Sequence, residues 1–522
     1  MTRRDFVKGC AAGVAVAMLP GGAHGTPGAA PGEAAPAGPP AVPPGSGRTA
    51  EALALFGGLG VDLPLMERVL AAGLTGGGES SELFFEHAVV RQVMLEDGVV
   101  NRASSLVTLG VGVRVLAGEQ TGYAFTEELT PESMLAAAEL AAAIARAPAG
   151  ARRVGLAPRE TTDLYPVQRA WPEVGVEDKI PLLLQMQERA ASFDPRIRKV
   201  SLSFVDEERR ILVATSDGVL RGDRRPLTRC IVSCSAQQGS RREENSFNLS
   251  ARAGFEYYTP ERVAHLGTEA ARRTVALFEA IVPPAGELPL VLAAGSSGIL
   301  LHEAIGHGME ADFNRKGISI YADRIGKPIA RPLVTIVDDG TLPGMRGAIN
   351  FDDEGNDTQR TVLVADGVLR TFLHDRISAA AYQVSPTGNG RRESFRHPPF
   401  PRMRCTYMQP GPHAREEIIR SVKRGIYAQT FTNGQVQIGA GDFTFFIKQG
   451  FLIEDGKLTR PIKDVNLIGN GPRVLEEVSM VGDDLLHDEG GWTCGKEGQG
   501  VPVSLGMPTV RVDRITVGGV NA

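Results

Sequence analysis

The alternation of apolar and polar residues predicts a strand-rich chain in which helices separate groups of hairpins. Because successive side chains of a strand point to opposite faces, a period of two indicates a strand. In the first half of the chain, this pattern predicts strands over 83–95, 99–103, 110–116, 118–125, 200–206, 210–215 and 228–236. Asp97-Gly98 and Asp217-Gly218 are dipeptides typical of the tight turns that join antiparallel strands.

Helices are predicted between these strands. Apolar residues at helical spacing indicate helices over 63–72, 130–146, 176–192 and 259–281. Thr130 and Thr259 each precede a proline and a glutamate, a sequence typical of a helix N-terminus. Pro283-Pro284 ends the last helix, so we place a domain boundary there. The first half is therefore predicted to be an N-terminal α/β domain over 49–284 with an antiparallel sheet.

The second half of the chain is denser in strands. The same pattern predicts strands over 288–293, 332–338, 361–365, 368–374, 435–440, 442–448 and 450–454, with one helix over 414–424. A further helix is expected to begin near residue 298, after Gly295-Ser296-Ser297. We expect a β-rich C-terminal domain over 285–522 that carries this helix, and an α+β fold for the whole chain.

Composition narrows the class of protein. The 522 residues are 42% hydrophobic and 22% charged, and the chain is long enough for two or three domains. A formal net charge of -5 gives no basic surface, so nucleic acid is not an expected partner. No run of 18 apolar residues is present, which argues against a membrane span.

The N-terminal residues have the pattern of an export signal. Residues 2–8, TRRDFVK, match the twin-arginine pattern, and the apolar run over 9–19 follows it. We therefore expect a twin-arginine signal segment over 1–25 and a periplasmic protein. Residues 26–48 are nearly all Pro, Ala and Gly, a composition typical of a disordered tether.

The segment 300–312, LLHEAIGHGMEAD, contains a candidate metal motif. His302, Glu303 and His307 resemble the zinc-peptidase pattern H-E-x-x-H, with one additional residue between the histidines. On a regular α-helix, residues five apart differ by about 140° around the axis, so the two imidazoles would point apart. A π-bulge or a break in the helix would bring them together. Gly306 and Gly308, on either side of His307, provide the conformational freedom for such a distortion.

A catalytic zinc site has three protein ligands and one open position. Beside His302 and His307, Cys494 in the glycine-rich segment 490–500, which is predicted to be a loop, is the best candidate for the third ligand. Glu310 and Asp312 are alternatives. These residues predict one zinc ion per chain, although two histidines can also fall by chance in an apolar helix.

Glu303 is the candidate general base. It directly follows His302, so it would lie beside the metal ion without binding it. A carboxylate in that position can take a proton from water that the metal ion has made acidic. His374, His397, His487 and Tyr321 are weaker candidates for stabilising the reaction intermediate, and Asp338 and Asp339 are interpreted as turn residues.

The other cysteines do not indicate a disulfide framework. Cys230 and Cys234 lie in one predicted strand, where their Cα atoms would be about 13 Å apart. A disulfide needs Cα atoms within roughly 7 Å, so these two cannot pair with each other. Cys405 has no evident local partner.

The sequence resembles the TldD/PmbA family of zinc metalloproteases, in particular its catalytic TldD-like subunits. The resemblance is strongest over 300–313, Val337-Asp338-Asp339-Gly340-Thr341 and Cys494-Gly495-Lys496-Glu497-Gly498-Gln499. Similarity extends from about Leu65 to the end of the chain. It implies that His302, His307 and Cys494 bind zinc and that Glu303 is catalytic.

The resemblance also implies a reaction and a partner. We expect a zinc-dependent peptidase that cleaves unfolded or extended peptides in a shielded cavity. The cavity would form in a homodimer, or in a heterodimer with a related subunit that lacks the metal motif. The alternatives are a metal-dependent amidase that acts on a non-peptide substrate, and a non-catalytic peptide-binding or modulatory subunit with a structural metal.

Overall fold

The computed structural model describes residues 47–145 and 154–519. The predicted signal segment, 1–25, lies outside the described residues, and so does the predicted tether except for Gly47 and Arg48. Arg48 is already the first residue of a helix, so the last position of the predicted tether is ordered structure.

Seven strands form an antiparallel sheet in the first half of the chain. They are β1 (Ser80–Glu96), β2 (Val99–Ala117), β3 (Gln120–Thr126), β4 (Ala157–Pro158), β5 (Ile197–Thr215), β6 (Val219–Gln238) and β7 (Arg241–Ala251). The order is β3-β2-β1-β5-β6-β4, and β7 also pairs with β6. Only the short β4 runs parallel to its neighbour. Asp97 and Gly98 both have positive φ, as the tight turn between β1 and β2 requires.

Helices cover one face of this sheet. They are α1 (Arg48–Gly58), α2 (Leu63–Leu74), α3 (Pro131–Ala145), α4 (Val176–Ala191) and α5 (Pro260–Ala276). Both predicted caps are present: Thr130 accepts a hydrogen bond from Ser133 N at the start of α3, and Thr259 accepts one from Arg262 N at the start of α5. Helices α1 to α3 share one buried core with the sheet, and α4 and α5 share a second.

The opposite face of the same sheet packs against the second half of the chain. Leu83 and Leu95 of β1 point into the two helical cores, whereas Phe84 points the other way, as strand alternation requires. Phe84 packs there with Phe351 and Phe395. The sheet therefore lies between the helices and the second half.

The second half contains sixteen of the described strands and five short α-helices. The strands are β8 (Gly286–Leu292), β9 (Ile336–Asp339), β10 (Arg360–Ala365), β11 (Val368–Leu369), β12 (Gly390–Arg391), β13 (Phe400–Pro401), β14 (Cys405–Met408), β15 (Arg424–Gln437), β16 (Asp442–Glu454), β17 (Lys457–Ile462), β18 (Val465–Asn470), β19 (Val478–Val481), β20 (Leu486–His487), β21 (Trp492–Lys496), β22 (Gln499–Met507) and β23 (Val510–Gly519). The helices are α6 (Gly298–Leu301), α7 (Ala311–Arg315), α8 (Arg376–Tyr382), α9 (Arg415–Arg420) and α10 (Gly471–Glu476).

Two mixed sheets organise this half. One has the order β11-β10-β9-β14-β22-β20, with β21 paired to β22. The other has the order β15-β8-β23-β18-β16-β17, and a further pairing between β15 and β16 closes five of its strands into a ring. A large buried core lies between these sheets and includes residues of α6 and the segment that follows it.

The predicted α+β fold is confirmed, and several predicted elements need correction. The strands predicted over 99–103 and 110–116 are a single strand, β2. Strand β7 was not predicted, because its first half is almost entirely polar. The strand predicted over 368–374 ends at Leu369, after which the chain leaves the sheet and Leu373 pairs with Glu310.

Buried ion pairs join the two halves. Arg114 on β2 donates to Glu82 on β1 and to Glu354 in the second half, both at 2.6 Å. Arg392 also donates to Glu82, and its guanidinium reaches the backbone oxygen of Asp353 at 2.9 Å. The side chains of Arg114 and Glu354 are almost inaccessible to solvent. Each of these charges therefore depends on its partners for stabilisation.

We expect Arg114→Met to destabilise the protein by about 3–5 kcal/mol, because it leaves two buried carboxylates without their shared cation. The control is Lys199→Met, which breaks an exposed ion pair with Glu96 and should change the free energy of unfolding far less. Urea unfolding of both variants at neutral pH measures the difference. Equal effects of the two substitutions would show that Arg114 does not hold the halves together.

Candidate metal centre

The segment that carries the two histidines is an irregular helix. Helix α6 is followed directly by a π-helical turn, His302–Gly306, and then by a 3₁₀ turn, His307–Met309. The backbone N–H of His307 donates to the carbonyl of His302, a bond that spans five residues where an α-helix would span four. The π turn therefore absorbs the additional residue of the motif and returns His307 to the side of the helix that His302 occupies.

Gly306 has a different role from the one predicted. Its φ of -58° and ψ of -47° are ordinary right-handed helical values that other residues adopt readily. A Cβ atom at this position would lie 2.1 Å from the sulfur of Met403. Gly306 is thus needed for close packing on Met403 and not for an unusual backbone conformation.

Cys494 lies in a strand and not in a loop as predicted. It is the central residue of β21, which forms a hairpin with β22 through a turn at Glu497 and Gly498, both with positive φ. Cys494 and Lys496 are two positions apart, so they share one face of the strand, and both are buried.

The structure brings His302, His307 and Cys494 together. Their potential ligand atoms all lie within 4.8 Å of one another. Cys494 Sγ is 3.4 Å from His307 Nε2, and the two imidazole rings have centroids 5.1 Å apart at an angle of 83°. All three side chains are buried, with exposures of 1%, 6% and 2%.

Glu310 and Lys496 fix the orientation of His307. Glu310 Oε2 is 3.0 Å from His307 Nδ1, which leaves Nε2 directed at Cys494. Lys496 Nζ lies 3.1 Å from the same carboxylate oxygen and 2.7 Å from Asp312. A carboxylate bound to the second nitrogen of a histidine is a common arrangement around metal ligands. The alternative ligands Glu310 and Asp312 are thus engaged by a buried lysine.

The electrostatics of this group favour a thiolate. Burial opposes ionisation of Cys494, but the neighbouring His307 and His302 outweigh it, so the pKa of the thiol lies well below its ordinary value. Burial also opposes the charge of His307, but Cys494 and Glu310 raise its pKa well above the ordinary range. For Glu310, Lys496 and His307 overcome burial and lower the pKa to about 2. A divalent cation could take the place of the proton between His307 Nε2 and the Cys494 sulfur.

The geometry fits zinc. Zn–S bonds of about 2.3 Å and Zn–N bonds of about 2.0–2.1 Å in a tetrahedral site separate the sulfur from a nitrogen by about 3.5 Å. The observed separation of 3.4 Å between Cys494 and His307 agrees with this value. His302 Nδ1 is buried with no hydrogen-bond partner among the described residues, so no competing contact holds it.

Glu303 lies at the edge of the cluster. Its Oε2 is 3.9 Å from His307 Nε2, and its side chain retains 22% exposure. Glu303 therefore reaches both the buried ligand atoms and solvent.

The weaker candidates lie in other surroundings. Among the described residues, none of them makes a hydrogen bond to the cluster. The Tyr321 ring packs against Gly308, the His374 ring against Tyr382, and the His487 ring against Tyr407, while His397 contacts Ser394. Asp338 is buried and accepts hydrogen bonds from Arg404, Asn389 and Thr406, whereas Asp339 forms the expected turn with Thr341.

A polar groove leads toward β21. Its volume is about 260 Å³, and it is bounded by residues 245–248 of β7, residues 430–432 of β15 and the segment 490–492. Trp492, which lines the groove, lies on the same face of β21 as Cys494. Amide and hydroxyl groups of Asn245, Ser246, Asn248, Thr430 and Thr432 line it.

Sequence models of one family match most of the chain. The PmbA/TldA metallopeptidase domain 1 matches residues 81–145, the central domain matches 169–278, and the C-terminal domain matches 285–519. A metalloprotease TldD homolog of Haemophilus influenzae is 40% identical over 451 residues, which are 84% of this chain and 93% of that protein. A metalloprotease of Methanocaldococcus jannaschii is 30% identical over 442 residues, 83% of this chain and 96% of that protein.

Solved structures share the fold. A protein of Thermotoga maritima described as a putative modulator of a DNA gyrase superposes with a TM-score of 0.70 at 21% identity, over 87% of this chain and 99% of that one. TldE of Thermococcus kodakarensis superposes with a TM-score of 0.69 at 18% identity, over 87% of this chain and 100% of that one. At these identities the likeness concerns the fold.

The prediction of a twin-arginine signal and a periplasmic location is not supported and is withdrawn. The matched family regions begin at residue 81, and neither the names of the relatives nor the described structure shows an export signal or a compartment. A seven-residue pattern that includes two arginines carries too few constraints to support the assignment by itself. Within the described residues, no helix is both long enough and apolar enough to cross a bilayer. The three matched regions and the full-length relatives place this chain in the PmbA/TldD family of metallopeptidases.

Proposed function

We propose that the chain is a zinc-dependent peptidase in which His302, His307 and Cys494 hold the metal ion and Glu303 is the general base. The observation that carries the proposal is the convergence of the three ligand atoms within 4.8 Å, with the Glu303 carboxylate beside them. A structural zinc site normally has four protein ligands, whereas this cluster has three and leaves one position open. That difference favours catalysis over a purely structural metal.

The residues around the cluster have separate proposed roles. A bound zinc ion supplies Lewis acidity and makes water acidic near neutral pH. Glu303 is placed to take a proton from water and to pass it to the leaving amine of the cleaved peptide bond. Glu310 and Lys496 keep the His307 ring in place. His302, His307 and Cys494 are buried and therefore shielded from bulk water, whereas Glu303 is partly exposed.

The substrate proposed is an extended peptide. The groove beside Trp492 is lined by amide and hydroxyl groups, which can bind peptide main chain with little demand on its side chains. A folded domain is too wide for this groove, and the proposed ligand residues are buried, so the proposed substrate is an unfolded segment.

A dimer is part of the proposal. Strand β3 pairs only with residues 111–117 of β2, so residues 99–109 form an open sheet edge within the described part of the chain. Val99, Leu106 and Val107 on this edge are 66%, 62% and 57% exposed. Exposed apolar strand edges are prone to pair with another chain. A second copy of this chain or a related subunit would cover this edge.

We expect Glu303→Gln to reduce kcat/KM for an unfolded peptide by about 10²–10⁴-fold, because the amide cannot take the proton. Zinc content should stay unchanged, since Glu303 is not a ligand. Glu417→Gln, an exposed glutamate on α9, is the matched control and should keep full activity. Unaltered turnover with zinc retained would contradict the base role, whereas no zinc-dependent turnover in the natural protein itself would favour a non-catalytic subunit with a structural metal.

We expect Ser246→Trp to raise KM for an extended peptide at least about tenfold, since the indole would fill the groove that Ser246 lines. The zinc content and kcat should change little, because the substitution is remote from the ligands. Ser240→Trp, at the tip of the same hairpin and outside the groove, provides the control. Peptidase assays at varied substrate concentration separate the two parameters, and an unchanged KM for Ser246→Trp would place the substrate elsewhere.

A further inference from the structure

A small cavity between the two halves of the chain is rich in arginine. Its volume is about 40 Å³, room for roughly three water molecules. The charged residues that line it are Glu207, Arg209, Arg225, Arg252, Asp353, Arg391 and Arg392. Five guanidinium groups therefore face two carboxylates.

Three of these arginines have acidic partners. Arg209 pairs with Glu207 at 2.9 Å, and Arg225 pairs with Asp353. Arg392 pairs with Glu82, outside the cavity. The two carboxylates that line the cavity are thus already engaged.

Arg252 and Arg391 lack such partners. Arg252 is 5% exposed, its Nε is buried without a hydrogen-bond partner, and among the described residues its guanidinium forms neither a hydrogen bond nor an ion pair. The guanidinium of Arg252 lies over the face of the Tyr165 ring, 5.5 Å from the ring centroid. Arg391 is 3% exposed and, within residues 47–145 and 154–519, donates only to the backbone carbonyls of Met403 and Pro502.

Two buried cations without a bonded counter-charge are costly. Burial lowers the pKa of both guanidinium groups, that of Arg391 to about 9; neighbouring arginines add to the effect, and Glu207 and Asp353 offset it only in part. Because a guanidinium does not lose its proton in a protein at neutral pH, an anion from outside the chain would stabilise both charges. Planar guanidinium groups match the paired oxygens of phosphate and carboxylate groups better than they match chloride.

We propose that this cavity is a binding site for a small oxyanion of the phosphate or carboxylate class, held between Arg252 and Arg391. Arg252 follows β7 in the first half of the chain, whereas Arg391 belongs to β12 in the second, so the anion links the two halves. This site is separate from the proposed metal centre and independent of peptidase activity.

Occupation of the site would also stiffen the surroundings of the metal cluster. Arg391 holds the carbonyl of Met403, whose side chain packs on Gly306, and the carbonyl of Pro502, which lies opposite Thr493 in the β21–β22 hairpin. The anion thus fixes a residue that is bonded to a neighbour of each segment carrying the proposed ligands.

The test is titration of the zinc-loaded, full-length protein with inorganic phosphate and, separately, with acetate, each against chloride at equal ionic strength. We expect at least one of the two oxyanions to raise the Tm by about 2–5 °C and to give a saturable calorimetric isotherm. Zinc content is measured before and after, so that loss of metal to phosphate is detected. Stabilisation by phosphate identifies a free inorganic ligand, and stabilisation by acetate alone identifies a carboxylate.

Two variants make the assignment specific. Arg252→Met should abolish the response and, without oxyanion, be at least as stable as the natural protein, because a buried unpaired charge has been removed. Arg252→Lys keeps the charge but not the paired donors, and should weaken binding at least about tenfold. Arg242→Met, an exposed substitution on β7, should respond as the natural protein does. No response to either oxyanion, or an undiminished response in both Arg252 variants, would overturn the proposal.

Discussion

One backbone hydrogen bond, from the N–H of His307 to the carbonyl of His302, determines whether the proposed metal ligands can converge. It replaces the usual four-residue step of a helix by a five-residue step, and so places two histidines of unusual spacing on one side. In a regular helix, the imidazoles would point about 140° apart and Cys494 could meet only one of them. The convergence of all three ligand atoms depends on this local distortion.

Tertiary packing stabilises the distortion. Gly306 fits closely on Met403, and Gly308 lies against the ring of Tyr321, so a larger residue at either position would push the turn away from its neighbours. The β21–β22 hairpin presents Cys494 and Lys496 on one face, where the lysine neutralises Glu310 and Glu310 orients His307. The proposed ligands and the residues that orient them thus come from two segments, 302–310 and 494–496, that are far apart in sequence. The mixed sheet that contains β21 and β22 brings these segments together.

The sequence predicted which residues would converge but not which residues support them. The motif of His302, Glu303 and His307 predicted either a π-bulge or a break in the helix, and the structure has the π-helical turn. Cys494 was identified by its residue type, yet its strand was interpreted as a loop because of the surrounding glycines. The pairing of Glu310 with Lys496 depends on a long-range contact that no local pattern contains. The sequence therefore left Glu310 as an alternative ligand. The position of Lys496, two residues after Cys494, was the available signal for their shared face.

In the fold as well, local patterns predicted part of the structure and long-range pairing determined the rest. Periodicity predicted α+β architecture and the turn at Asp97-Gly98, but it did not find β7 or the closure of β15 onto β16, which depend on the strands they pair with.

The most direct test of the central claim is zinc K-edge X-ray absorption of the loaded protein. We predict one sulfur at about 2.3 Å and two imidazole nitrogens at about 2.0–2.1 Å, with the sulfur lost in Cys494→Ser and kept in Cys405→Ser. A spectrum without sulfur in the natural protein would contradict the account.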